Sequence, residues 1–225
     1  MRIHITRTGD GSSTLFVPEL KEHYHSINGA VQESEYVFIR TGLEVMKTST
    51  ICLLEVGFGT GLNALLTLRK AGNFDSIRYY AIEKFPLDWE QVEQMKYGVF
   101  LNLSTAEKET FRNMHQSPWN VPSAYGDNFT LYKIKTDLKD YQPSVLFDLV
   151  YFDAFAPAVQ PELWEETVFK RLGQTMKPGS ILVTYCAKGE VRRRLQRSGF
   201  SVERLPGPPG KREIIRATRL NTQNP

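Results

Sequence analysis

Long apolar runs are missing from this sequence. None reaches the ~18 residues that cross a bilayer, which excludes a membrane-spanning helix. The N-terminus, Met1 to Asp10, has strand character and lacks the apolar centre of a secretory signal. Cysteine is scarce as well. Cys52 and Cys186 both sit in apolar runs and read as reduced core thiols, so no disulfide framework is expected and a cytoplasmic location is. The four histidines, His4, His23, His25 and His115, show no ligand spacing with either cysteine. The His23/His25 pair reads as structural, and no metal is expected. There is no Gly-x-x-x-x-Gly-Lys-Ser/Thr, which excludes a P-loop, and neither repeats nor low-complexity linkers occur.

What is present is the material of one large domain: 225 residues, 41% hydrophobic and 12% aromatic. The net charge of +3 conceals an uneven distribution. Lys188 to Arg219 carries ten basic residues against three acidic ones, +7, which leaves −4 on the rest. A basic module on an acidic body suits a polyanionic partner; the alternative is a solvated basic helix with no partner.

The pattern along the chain divides it into an N-terminal hairpin-and-helix extension (1–48) packed on a core domain (49–219) and a short tail (220–225). Arg2–Arg7 and Thr14–Val17 read as a hairpin around Gly9–Ser12. Residues 19–35 look irregular, and the apolar spacing predicts a helix over Ser34–Lys47. Strand and helix then alternate. Strands are predicted at Ile51–Val56, Arg78–Ile82, Phe129–Ile134, Leu146–Phe152 and Ile181–Cys186. Helices are predicted at Leu62–Lys70, from Pro86 to about Tyr97, at Thr105–His115 (polar and exposed), at Pro161–Leu172 (stopped by Gly173) and at Glu190–Arg197. Pro118, Pro122 and Gly126 read as breaks, and Lys177–Gly179 as a turn. Phe200–Leu205 and Glu213–Thr218, joined by a loop without a helix, should pair antiparallel. Doubly apolar strands alternating with helices specify an α/β, Rossmann-like fold with a mostly parallel sheet and an antiparallel C-terminal strand.

In such sheets a ligand sits beyond the carboxyl ends of the strands, at the switch in strand order. Acids and glycines cluster at those ends. Glu55-Val-Gly57-Phe58-Gly59-Thr-Gly61 is a glycine-rich turn into a helix, where backbone can approach a ligand closely. Gly59–Ala64 also fits a permissive dinucleotide motif. A carboxylate at the strand end would repel a pyrophosphate but attract an ammonium and a sulfonium, so Glu55 favours S-adenosylmethionine over NAD. Glu83, at the end of the second strand, suits a ribose diol, and Asp137 suits an adenine amino group; the alternatives are a solvated loop carboxylate and a helix start. Asp153-Ala-Phe155-Ala-Pro157 follows the fourth strand, where the acceptor would meet the methyl group. A carboxylate there can hold an amine and take its proton, while Phe155 offers an apolar wall and Pro157 stiffens the turn; the alternative for Asp153 is a helix cap.

These motifs, Phe58–Asn63, Asp153–Pro157 with Pro161-Glu-Leu-Trp164, and Gly210-Lys211-Arg212-Glu213, together with Tyr24-His-Ser26, Gly29-Ala30 and Glu33-Ser34, resemble the methyltransferase half of the bifunctional tRNA 5-methylaminomethyl-2-thiouridine biosynthesis enzymes and its stand-alone form. The resemblance runs from about Asp10 to Arg219. It implies a class I S-adenosylmethionine-dependent methyltransferase that methylates the 5-aminomethyl nitrogen of the tRNA wobble uridine. By the same implication Glu55, Gly57, Phe58, Gly59, Gly61, Asn63, Glu83, Asp137 and Leu138 line the donor, and Asp153 is the catalytic residue facing the amine. Phe155, Pro157, Lys211 and Arg212 would contact the substrate, with tRNA engaged through its anticodon region. The sequence stops at Pro225, which leaves no room for an FAD-dependent oxidase half, so neither FAD nor a metal is implied and the acceptor should already carry a free aminomethyl group. The helix bearing Arg192, Arg193, Arg194 and Arg197 would spread positive charge toward the phosphates. Two alternatives stay open: an NAD-linked oxidoreductase, and a non-catalytic RNA-binding protein of the same fold.

Overall fold

The computed structural model describes residues 3–221. Arg2, the first residue of the expected hairpin, and residues 222–225 of the expected tail lie outside the described residues. A small sheet of β1 (His4–Arg7), β2 (Ser13–Val17) and β3 (Glu22–His23) opens the chain, in that spatial order and antiparallel, with Ile5 opposite Leu15. The remaining strands form one eight-stranded sheet: β4 (Thr50–Val56), β5 (Ser76–Glu83), β6 (Pro122–Tyr125), β7 (Phe129–Lys135), β8 (Phe147–Phe152), β9 (Met176–Thr184), β10 (Phe200–Pro206) and β11 (Glu213–Arg219). Their order is β10-β11-β9-β8-β4-β5-β7-β6. The five strands from β9 to β7 are parallel, and β11, β10 and β6 complete the two edges through antiparallel pairings.

The double-sided burial that the strand sequences demand is present. In β4, Ile51 and Leu53 join the core on one face, while Cys52, Leu54 and Val56 join the core on the other. The first core also takes in α2 (Leu62–Lys70), α5 (Thr105–Gln116) and the N-terminal segment; the second is covered by α6 (Glu166–Gln174) and α7 (Gly189–Arg197). The chain leaves β4 toward β5 and β7 on one side and continues as β8 and β9 on the other. The strand order therefore switches between β4 and β8, which are hydrogen-bonded neighbours with Val56 opposite Phe152. This register places Gly57 beside Asp153, whose N–H donates to Val56 O at 3.1 Å.

Several elements differ from the sequence reading. The helix expected at Ser34–Lys47 begins as α1 (Ala30–Ser34), widens into a π-turn over Glu35–Arg40 and ends in a short 3-10 turn at Leu43–Val45. Val37, Phe38 and Ile39 are consecutive and all buried. A regular α-helix turns about 100° per residue and points such a triplet away from a single face, and the wider turn is what accommodates it. Pro86 does not start a helix. Asp88 and Gln91 form a capping box, α3 runs over Trp89–Glu93, and α4 (Tyr97–Phe100) follows a left-handed Lys96. The proline-rich break contains the edge strand β6, where Pro122 is tolerated at the margin of the sheet. The segment Pro161–Leu172 divides into a 3-10 turn at Pro161–Trp164 and α6, which passes through Gly173 to Gln174. Gly173 does not stop the helix but packs closely: a Cβ there would lie 3.3 Å from Arg219 Nε and 3.4 Å from the Phe200 ring. Lys177–Gly179 lies inside β9 rather than in a turn. Here Asp148 takes up an irregularity of register, with its carboxylate accepting Cys52 N–H at 2.9 Å and Lys177 Nζ at 2.6 Å.

Candidate active site

A cavity of about 970 Å³ opens at the carboxyl ends of β4, β5 and β8. Its floor is the turn between β4 and α2. Gly57, Gly59 and Gly61 all have positive φ, the region where side chains with a Cβ are strained. A Cβ on Gly57 would strike Asp153 O at 2.9 Å, and one on Gly61 would strike His115 Nε2 at 2.6 Å. The glycines thus permit three close approaches: by the neighbouring strand end, by α5, and by the Tyr24 ring over Gly59.

Glu83 shapes this turn as well as facing the cavity. Its Oε2 accepts Gly59 N–H at 3.0 Å and its Oε1 accepts Phe85 N–H at 2.8 Å. Asp137 lines the same end, paired with Lys84 at 2.8 Å. Burial acts to raise the Asp137 carboxyl, but the Lys84 ammonium and the Lys139 N–H outweigh it and hold the group below its ordinary value. Leu138 is buried behind Asp137 and does not line the cavity.

Glu55 is not a wall of the cavity. It has the same strand parity as Ile51 and Leu53, so its side chain points under α2, fully buried. The first turn of α2 supplies its partner. Asn63 Nδ2 donates to Glu55 Oε1 at 3.0 Å and to Asp153 Oδ2 at 2.8 Å, so one amide bridges two carboxyls. Burial pushes Glu55 well above the usual carboxylate range and the nearby Asp153 pushes it further, so the site disfavours a charge on Glu55.

Asp153 faces the cavity. Burial raises its carboxyl, Glu33 adds to the rise, and the Asn63 hydrogen bond and Lys211 oppose it; the balance lies at about 7. Around Asp153 stand Phe155, edge-on to Tyr24 with ring centroids 5.0 Å apart, and Tyr185, whose hydroxyl donates to Ala154 O at 2.8 Å. Trp164 and Phe152 are core residues. Trp164 Nε1 donates to Phe155 O at 2.7 Å and so fixes the loop that carries Phe155, while Pro157 lies in that loop away from the cavity wall.

Lys211 and Arg212, adjacent in sequence, part company. Lys211 turns inward to line the cavity, its Nζ 3.0 Å from Glu33 Oε1 and 4.3 Å from the Tyr185 ring centroid, whereas Arg212 is exposed outside it. The arginine helix is also less open than its sequence suggests. Arg194 pairs with Glu190 and donates to Trp164 O, and Arg197, exposed like Arg193, pairs with Glu166 at 2.6 Å.

Two residues near the site escaped the sequence reading. The face of α5 that carries Phe111, Met114 and His115 is not exposed but packs under the glycine turn. His115 Nε2 lies 3.0 Å from Thr60 O, and burial drops its imidazole to about 4, so it is neutral. Behind it Lys133, 1% exposed, donates to His115 O at 2.5 Å and lies over the Trp119 ring at 4.8 Å; burial lowers it to about 8. Among the described residues no group of His, Cys, Asp and Glu could hold a metal ion, and no helix is long and apolar enough to cross a membrane.

Comparison with known proteins fits this geometry. Residues 73–220 match the family described as S-adenosyl-L-methionine-dependent methyltransferase. A bifunctional protein of Idiomarina loihiensis, "tRNA 5-methylaminomethyl-2-thiouridine biosynthesis bifunctional protein MnmC", is 30% identical over 213 residues, which cover 85% of this chain and 34% of that protein. The protein of the same name from Ralstonia nicotianae is 30% identical over 222 residues, 89% of this chain and 32% of its own length. The chain thus spans about a third of the length of these curated relatives. Among solved structures, MNMC2 from Aquifex aeolicus superposes with a TM-score of 0.75 at 24% identity, covering 98% of this chain and 70% of that one. Spermidine synthase from Thermotoga maritima gives 0.56 at 13% identity, covering 97% and 68%. Both likenesses establish the fold.

Proposed function

The chain belongs to the S-adenosyl-L-methionine-dependent methyltransferases, and from that membership we propose that it transfers a methyl group to the 5-aminomethyl nitrogen of the tRNA wobble uridine, engaging tRNA through the anticodon region. The family match sets aside the NAD-linked alternative. The observation that carries the proposal is Asp153: a carboxyl at the switch point of the sheet, facing the cavity, balanced at about 7 and flanked by Phe155, Tyr24 and Tyr185. An amine acceptor needs a group that binds its ammonium and then takes a proton, because only the neutral amine has a lone pair for the methyl carbon. A carboxyl balanced near neutrality does both. The names of the curated relatives point the same way, since they place those proteins in tRNA 5-methylaminomethyl-2-thiouridine biosynthesis.

The residues also fit the cofactor. Gly57 and Gly59 leave a wall without side chains, Glu83 keeps acceptor capacity beyond its two backbone hydrogen bonds for a ribose diol, and Asp137 is held ionised for an adenine amino group. When bound, the cofactor supplies an electrophilic methyl on a sulfonium. The protein's task is to align the nitrogen with that methyl and keep it unprotonated, which needs no covalent intermediate. Glu55 contributes through Asn63 rather than by direct contact.

The test is methylation of tRNA bearing 5-aminomethyluridine with labelled donor, read by nucleoside mass spectrometry, together with the tRNA of a deletion strain. Accumulation of the unmethylated aminomethyl nucleoside in that strain supports the proposal; unchanged tRNA that the purified protein fails to methylate refutes it. Arg212 gives a second prediction. As an exposed cation next in sequence to the cavity-lining Lys211 it should contact phosphate. Arg212→Ala should weaken tRNA binding, reduce the slope of log K against log salt by about one, and leave S-adenosylhomocysteine binding unchanged in calorimetry.

A further inference from the structure

We propose that the ion pair between Glu33 and Lys211 governs when Asp153 carries its proton, the two partners acting in opposite directions on the acceptor end of the cavity. The inference rests on the reading above, in which Asp153 faces the acceptor amine. It redirects Lys211 from the outer surface to the site itself.

The geometry is that of a built element. Glu33 lies on α1 and is 7% exposed. Its Oε2 accepts the Ser26 N–H at 2.8 Å, which fixes the carboxylate, and its Oε1 lies 3.0 Å from Lys211 Nζ. Lys211 is held from the other side by the Tyr185 ring, and the Tyr185 hydroxyl is bonded to the carbonyl of Ala154, the residue after Asp153. The loop carrying Lys211 is anchored to the N-terminal segment once more, because the amide of Asn28 packs so closely on Gly210 that a Cβ there would collide with it. Glu33, Lys211 and Asp153 all line the same cavity.

Glu33 from α1 and Lys211 from the β10–β11 loop act on the Asp153 carboxyl, while Glu55 from β4, Tyr79 from β5, Tyr97 from α4 and Tyr185 after β9 are the titratable groups that feel its charge. Burial disfavours a charge on Glu55 and keeps the tyrosines neutral, and Glu33 and Lys211 form the ion pair at this end of the cavity. Glu33 opposes ionisation of Asp153 by like-charge repulsion, and Lys211 favours it. Burying an ion pair at a cavity wall contributes little net stability, because desolvation offsets the attraction. Its place here is explained by the field it sets at Asp153. Since Asp153 must be ionised to take a proton from the amine, that field fixes the acidic side of the pH–rate profile.

The test uses two variants that break the same ion pair. In protein labelled with ¹³C at Asp carboxyls, the Asp153 resonance is identified by its loss in Asp153→Asn and titrated in the wild type, Glu33→Gln and Lys211→Met. The midpoint is expected to fall by about one pH unit in Glu33→Gln and to rise by about one unit in Lys211→Met, with the acidic limb of kcat for methyl transfer following each. A purely structural ion pair would make both variants disturb the site in the same direction, so shifts of the same sign, or none, overturn the proposal. S-adenosylhomocysteine binding checks that each variant is folded. If Lys211→Met is not, Lys211→Arg, which keeps the charge, should titrate as the wild type does, and a displaced midpoint there overturns the proposal too. Opposite shifts in a protein that does not methylate aminomethyl-uridine tRNA would leave the ion pair's role standing and refute the assigned substrate.

Discussion

Asp153→Asn is expected to lower methyl transfer by about 10²–10⁴-fold, the range for loss of a general base, while S-adenosylhomocysteine still binds within a few-fold of wild type. The substitution keeps the shape of the side chain and the hydrogen bond from Asn63, and it removes the negative charge and the basic oxygen. In the wild type the single-turnover rate should rise with pH through about 7, the value at which burial and Glu33 leave the Asp153 carboxyl half ionised. The variant should lose that limb, and its residual rate should climb only as the acceptor amine itself loses its proton to solvent. Equal rates for the two proteins at pH 8 would show that the acceptor amine loses its proton without Asp153.

The same substitution has an opposite effect on stability. The folded-state value of Asp153 is raised from 3.8 to about 7, so the protonated form is the one that folding favours. Stability from this group is fully present below about pH 4 and is lost as pH rises through 7, where the folded protein must hold the charge. Asp153→Asn escapes that loss. It should melt above the wild type at pH 8, with the difference closing toward pH 4, in a calorimetric scan. Loss of activity paired with a gain in alkaline stability distinguishes a strained catalytic group from a structural one.

Much of this site was legible because it lies at strand ends, where apolar runs stop and acids and glycines begin. The alternation of Ile51–Val56, Arg78–Ile82 and Leu146–Phe152 with helices placed Gly57, Glu83 and Asp153 at one end of one sheet. Side-chain direction was less legible, although some of the signal was there. Glu55 shares parity with Ile51 and Leu53, and that parity alone puts it under α2 rather than in the cavity. Lys133 shares parity with Phe129 and Leu131, both buried, and treating lysine as a solvent residue hides a buried cation. No such rule separates Lys211 from Arg212. Their directions depend on Glu33, far away in sequence, on the short α1 within the stretch 19–35 that reads as irregular.

Asn63→Asp is expected to be the most damaging change of its size in the molecule. It alters no volume, yet it replaces the one amide that donates to both Glu55 and Asp153 with a third carboxyl at a position that is 3% exposed. Glu55 Oε2 has no hydrogen-bond partner of its own, and among the described residues the only other donor acting on that carboxyl is the buried Tyr79 hydroxyl, which does not reach Asp153. Leaving buried acids without their donor should cost about 3 kcal/mol at pH 8, or a fall in Tm of about 10 °C for a chain of this length. The sign of the pH dependence follows from burial. The introduced carboxyl has its folded-state value raised by desolvation and by its two neighbours, so the folded variant favours the protonated form. The deficit against the wild type should therefore be small near pH 4 and should widen as pH rises through neutrality. Activity should fall with it if Asp153 is the base proposed above, because a charge beside Asp153 moves the midpoint of its carboxyl upward and favours its protonated form. Thermal scans of the two proteins between pH 5 and pH 8 decide the matter. A constant difference in Tm across that range would mean that Asn63 acts by packing and does not serve as the bridge between the carboxyls.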